Sequence, residues 1–220
     1  MFFLPIGCLI FILFLFFLPL LFILGYFKII TLGFVNLGIP PERILLLFLI
    51  ILIGSAVNIP LGKRSFRQVE EIKFFGLLRR PRIRAEGISI NLGGAVIPVL
   101  LSLYFAYLLL RAGFDLTPVF VAILLMTAFS FVLARIVPGI GVTLPVFIPP
   151  ILSAIVALVL APDYAAPCAF ISGTLGVLLG ADILNLPRIR KHEGLLSIGG
   201  AGVFDGIFLV GIVSALLSGF

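Results

Sequence analysis

Leu101-Ser-Leu-Tyr-Phe-Ala-Tyr-Leu-Leu-Leu110 carries no charge, and residues 9–24 form a second, longer run with none. Such runs are too long and too uniformly apolar for a membrane barrel, which would alternate apolar and polar residues over strands of about ten residues. They therefore predict helices, the other backbone that satisfies its own polar groups inside lipid. The rest of the chain agrees, with 62% hydrophobic residues, 11% charged residues and a mean hydropathy of +1.37. A soluble domain carries about a quarter charged residues. The expected class is all-α, a polytopic transmembrane helix bundle. Residues 3–26 read as a membrane span rather than a signal peptide, because they lack a basic start, run on to Phe27 and show no small-residue cleavage site.

A window of about 20 residues per crossing places spans near residues 3–26, 42–61, 88–110, 118–137, 146–162, 167–186 and 195–219. This makes about seven spans in a single integral membrane domain over residues 1–220. Lys63, Arg64, Arg67, Lys73, Arg79, Arg80, Arg82 and Arg84 crowd the link at residues 63–86, and Arg188, Arg190 and Lys191 fill the link before the last span. Cytoplasmic loops retain Lys and Arg, so both links and Arg135 belong on the cytoplasmic face. The N-terminus is then inside and the C-terminus outside, as expected for a multi-pass protein of the inner (cytoplasmic) membrane.

The net charge of +6 lies beside the spans and has no aromatic-basic pattern for reading bases. Contact with the lipid bilayer, through anionic lipid at the basic link, is the expected partnership, and nucleic acid is not. Val69, Ile72, Phe75 and Leu78 recur at helical spacing, so residues 68–78 read either as a short amphipathic helix or as an ordinary connector.

The chemistry-bearing residues lie near the end of the chain. Asp182 and Asp205 interrupt apolar stretches rich in glycine, and an ionisable group at membrane depth costs roughly 2.5–3.5 kcal/mol on insertion scales. Gly173, Gly176 and Gly180 fall on one helical face and predict close approach between helices. Two carboxylates brought together by a hairpin of the last two spans would titrate apart, one protonated and one able to activate water, which is aspartic-peptidase chemistry. The substrate would be a membrane-helix peptide. The same pair would equally serve as the ion site of a proton- or sodium-coupled small-solute transporter, or as structural hydrogen-bonding groups in a non-catalytic scaffold. No cofactor motif is present; Cys8 and Cys168 lack metal-ligand spacing and His192 stands alone in a loop, so no metal site is expected.

Gly202-Val-Phe-Asp-Gly-Ile-Phe208 resembles the second catalytic motif of presenilin-type intramembrane aspartyl proteases, which implies Asp182 and Asp205 as the catalytic pair. Phe204 stands where that motif has glycine, Ala181 where the first motif has tyrosine, and no Pro-Ala-Leu segment follows. Asn91-Leu-Gly-Gly-Ala-Val-Ile-Pro-Val-Leu-Leu-Ser102, Gly180-Ala-Asp-Ile-Leu-Asn-Leu186 and Ser197-Ile-Gly-Gly-Ala-Gly-Val-Phe-Asp-Gly-Ile-Phe208 resemble an uncharacterised family of bacterial and archaeal multi-span membrane proteins. That resemblance covers nearly the whole chain and implies no particular activity.

The chain also echoes itself. Arg84-Ala-Glu-Gly-Ile-Ser-Ile-Asn-Leu-Gly-Gly-Ala95 is similar to Lys191-His-Glu-Gly-Leu-Leu-Ser-Ile-Gly-Gly-Ala201, with Val99 where Asp205 would align. The echo is either the relic of a parallel repeat of the kind transporters use, or the same membrane-boundary chemistry arrived at twice. Arg135-Ile-Val-Pro-Gly-Ile-Gly-Val-Thr-Leu-Pro-Val-Phe-Ile-Pro-Pro150, rich in breakers, reads either as a re-entrant gate or as a tight connector. Arg135 would pair with an aspartate or anchor the interface, and Tyr104 and Tyr107 fit an aromatic belt.

Overall fold

The structure is a computed structural model that describes residues 28, 31–32, 35, 37–61, 65–73, 78–137, 141–145, 147–189, 195–200, 210–213 and 216–217. The expected first span at 3–26, together with Cys8, His192 and Asp205, lies outside the described residues. The rest is mostly helical. Helices α1 (Pro41–Ser55), α2 (Ile97–Arg111), α3 (Thr117–Leu133) and α4 (Ile148–Leu160) each carry proline in their first two positions. There its missing N–H forfeits no helical bond and its fixed φ is already helical. Helix α5 (Ala165–Val177) follows a single turn at Pro162–Tyr164, and a short α6 (Leu186–Ile189) closes the same helical stretch.

Two continuous helical stretches, Leu92–Arg111 with 20 residues and Pro162–Arg188 with 27, are long and apolar enough to cross a membrane. Thr117–Leu133 and Ile148–Leu160 are shorter apolar helices. Helix α5 is the centre of the bundle and packs against α2, α3 and α4. Phe170 on it meets Phe105 edge to face at 5.1 Å between ring centroids. Gly176 lies on Met126 and Gly180 on Thr127 and Ser130, so the glycine face is the seam with α3, as expected for small residues between membrane helices. The outward surface is apolar as well. Leu124, Val132 and Val159 are 69%, 80% and 73% exposed, which is the surface of a chain that associates with lipid rather than one that hides its apolar groups from water.

A small sheet accompanies the helices, and here the structure corrects the all-α expectation. Strands β1 (Asn58–Pro60), β2 (Ser65–Lys73) and β3 (Leu78–Asn91) form antiparallel pairs, and β6 (Leu195–Ile198) pairs with β3 in parallel. Of the possible helix at residues 68–78, residues 68–73 are thus strand and Leu78 opens β3, while residues 74–77 lie outside the described residues. The segment's apolar residues fit a helical spacing, but residues 80–86 alternate at period two and offer a partner, and pairing decides between two periods that a short segment satisfies equally. Pro81 is tolerated because β2 is the one strand beside β3 at that level among the described residues.

The sheet also shortens the helices expected from the sequence. The helix expected from residue 88 starts at Leu92, the one expected to reach residue 137 stops at Leu133, and the stretch expected from residue 195 opens as a strand. Within the breaker-rich segment Arg135–Val137 (β4) and Gly141–Thr143 (β5) pair antiparallel. Arg135 stands exposed at its start. Tyr104 and Tyr107 are exposed on α2, with Arg111 Nη1 donating to Tyr107 Oη at 3.1 Å, and Cys168 is a buried packing residue.

Candidate functional site

The two echoed segments lie side by side. Gly87, Ile88, Ser89 and Ile90 of β3 stand opposite Leu195, Leu196, Ser197 and Ile198 of β6, so the shared Ser-Ile pair is in register across a parallel ladder. Each strand leads into a stretch containing Gly-Gly-Ala. Gly199, with φ of +81°, fits directly against Ala95 of the first copy, where any Cβ would collide with Ala95 Cβ. Glycine is the residue that adopts this φ and admits this approach.

A chain that passes from strand to helix leaves backbone N–H groups without helical acceptors. In the first copy Asn91 solves this locally: its Oδ1 accepts from Gly94 N at 2.7 Å, while its Nδ2 donates to the Ser55 carbonyl at 2.7 Å and to Asn58 Oδ1 at 3.1 Å. The second copy lacks the two residues Asn91-Leu92 between Ile and Gly-Gly. There the acceptor comes from the preceding helical stretch, because Asp182 Oδ2 accepts from Gly199 N at 2.8 Å. The same task falls to an amide in one copy and to a carboxylate in the other. Asn58 ties the copies together, its Oδ1 also accepting from Ser197 Oγ at 2.7 Å.

Asp182 reaches this position from a π-helical segment, Leu178–Ile183, in which Leu184 N donates to Leu179 O at 2.9 Å. Segments of this kind widen a helix by one residue and recur at functional sites. A second one, Leu92–Val96, follows β3. Leu178 and Ala181 from the first and Ala95 from the second share one buried apolar cluster with Ile198 and Val210. Buried Asn185 holds the widened turn by donating Nδ2 to Gly180 O and Ala181 O, both at 3.1 Å. Its Oδ1 accepts from Arg188 Nη1 at 3.4 Å, and the Arg188 guanidinium lies 5.0 Å from the centre of the Phe131 ring. Asp182 itself is half-buried.

Of the two carboxylates expected to form a site, Asp182 is therefore placed and Asp205 lies outside the described residues. Among the described residues no group of three His, Cys, Asp or Glu side chains gathers to hold a metal ion. The polar residues not foreseen are Asn58 and Ser197. A signal for them existed in the cost of placing an amide or hydroxyl at the end of an apolar run, where each polar atom needs a partner.

These features define a membrane-associated helical protein with a polar junction between two like segments. The chain belongs to the family described as "Protein of unknown function (DUF1614)", which matches residues 52–217. No curated protein and no solved structure matches it, and the likeness to presenilin-type proteases finds no support there.

Proposed function

We propose that the protein is a multi-pass transporter of the inner (cytoplasmic) membrane that couples movement of a small solute to protons or sodium ions, with Asp182 as its ion-responsive group and Asp205 as a second carboxylate of the same region. The observation that supports this most is the bond from Gly199 N–H to Asp182 at the seam of the two echoed segments. A hydrogen bond to an ionised acceptor is roughly twice as strong as one to a neutral acceptor. Protonation or cation binding at Asp182 therefore weakens the tie to the start of the following segment. That is the coupling a transporter needs between ion occupancy and the position of one element relative to its counterpart. Repeats, interrupted helices and a polar group at their meeting point are the recurrent architecture of such proteins.

The test is uptake into proteoliposomes of a panel of radiolabelled amino acids, organic acids and sugars under an imposed proton or sodium gradient. Gradient-driven uptake of at least one solute, lost in Asp182→Asn, is the expected result. Cleavage of a helical peptide by the wild type, abolished by Asp182→Asn and Asp205→Asn and unaccompanied by uptake, would replace transport with the aspartyl-peptidase reading. If neither activity is found and Asp182→Leu, but not Asp182→Asn, lowers thermal stability, Asp182 is a structural cap in a scaffold.

A further inference from the structure

Strands β2 and β3 sort the basic link in a way that no helix would. Their register runs from Ser65 opposite Glu86 to Lys73 opposite Leu78. Alternate positions of a strand share a face, and directly opposed residues of an antiparallel pair share it too. One face of the ribbon therefore collects the positions of Arg67, Lys73, Arg80, Arg82 and Arg84 with Glu71 and Glu86, five basic against two acidic, or a net +3, beside Ser65, Val69 and Leu78. The other collects Phe66, Ile72, Pro81, Ile83 and Ala85 with Gln68 and with Glu70 and Arg79, whose charges cancel. One face is basic and the other is apolar with no net charge.

We propose that this ribbon docks flat on the anionic lipid surface of the membrane that holds the protein. Position argues for that occupant. β3 runs without a break to Asn91, where the chain turns into the apolar stretch Leu92–Arg111, so the ribbon starts at the lipid boundary and extends about 30 Å along its nine paired positions. Charge argues for it too. An apolar face seated in the headgroup region brings the backbone near the phosphates and keeps the ribbon's net positive charge within about a Debye length of the anionic surface, where it is attracted. A soluble polyanion would satisfy the basic face alone and leave the apolar one uncovered. This inference requires that the protein reside in a membrane and does not depend on what it transports.

The test uses the full chain in nanodiscs, with Cys8 and Cys168 replaced by serine and a bimane fluorophore on Gln68→Cys, a position of the apolar face. Headgroup-level spin-labelled lipid quenches the fluorophore in discs rich in phosphatidylglycerol, and at least threefold less in discs of phosphatidylcholine or in 1 M salt. The combined Arg80→Gln, Arg82→Gln, Arg84→Gln variant loses that difference, since each basic residue near an anionic surface contributes about fivefold to the partition. Replacing the same three by lysine keeps it, which separates loss of charge from loss of the ribbon. Equal quenching in both lipids, or none in either, overturns the proposal. Protection of the fluorophore by added polyanionic heparin but not by lipid overturns it in favour of a soluble partner.

Discussion

Asn91→Ala is the most informative single substitution in the described part of the molecule. Asn91 is fully buried and its carboxamide makes three hydrogen bonds, accepting from Gly94 N and donating to the Ser55 carbonyl and Asn58 Oδ1. Alanine takes the acceptor away from a buried N–H, which costs about 1–3 kcal/mol, and removes two donated bonds worth about 1 kcal/mol each. Asn58 Oδ1 keeps Ser197 Oγ as a donor, so the second of those losses is the smaller. The expected destabilisation is about 2–4 kcal/mol in a reversible unfolding titration with sodium dodecyl sulfate in mixed micelles. Asn91→Asp sharpens the test. A carboxylate still accepts from Gly94, but it turns lone pairs toward the Ser55 and Asn58 oxygens, so it should rescue little. A loss below about 0.5 kcal/mol for alanine, or an aspartate variant as stable as wild type, would refute the role of Asn91 as the cap of the first copy.

Other outcomes follow from the same geometry. Gly180→Val forces a side chain onto the Thr127 carbonyl and Ser130 Cβ, and overpacking against backbone should cost about 1–3 kcal/mol or abolish folding, read by the same titration. Asp182→Asn keeps an acceptor for Gly199 N–H, so its stability should stay within about 1 kcal/mol of wild type, whereas Asp182→Leu should be clearly less stable. An order of stability in which Asn is as damaging as Leu would contradict the hydrogen bond. Exposed Asp115 accepts from the backbone N–H and the hydroxyl of Thr117, both at 2.9 Å, and these bonds hold its carboxyl below the usual carboxylate range. A depressed folded pKa means its stabilisation is complete above the unfolded value and disappears as pH falls through the folded one. The difference in thermal midpoint between wild type and Asp115→Ala should therefore be constant near neutrality and shrink below about pH 4.

The helical bundle was legible because burial in lipid leaves a one-dimensional record, runs such as residues 101–110 that exclude charge and need no partner to be recognised. The glycine seam was legible for a similar reason, since Gly176 and Gly180 repeat at the spacing of a single helix face and α3 does lie on them. The sheet was not. Residues 68–78 satisfy a helical period over too few turns to exclude a strand, and only the pairing of Ile72 with Arg79 or Val69 with Arg82 fixes the outcome. The echo of residues 84–95 in 191–201 was visible as similarity, but its physical meaning depends on Ser89 meeting Ser197, which no local pattern encodes. Asp182 stood out because a carboxylate in an apolar run is costly. Its partner did not, because Gly199 contributes a backbone N–H, and every residue except proline has one.

The functional account rests on the two echoed segments lying parallel and in register, and disulfide formation reads that directly. In a chain with Cys8 and Cys168 changed to serine, Ser89→Cys and Ser197→Cys occupy directly opposed positions, where the Cα separation of neighbouring strands suits a disulfide. Mild oxidation of this double variant in native membranes should give a rapid intramolecular bond, detected by a mobility shift reversed on reduction. The pair Ser89→Cys with Ile198→Cys, one residue out of register and on opposite faces, should stay reduced. Equal cross-linking of both pairs, or efficient bonding of the second alone, would contradict the pairing and with it the coupling assigned to Asp182.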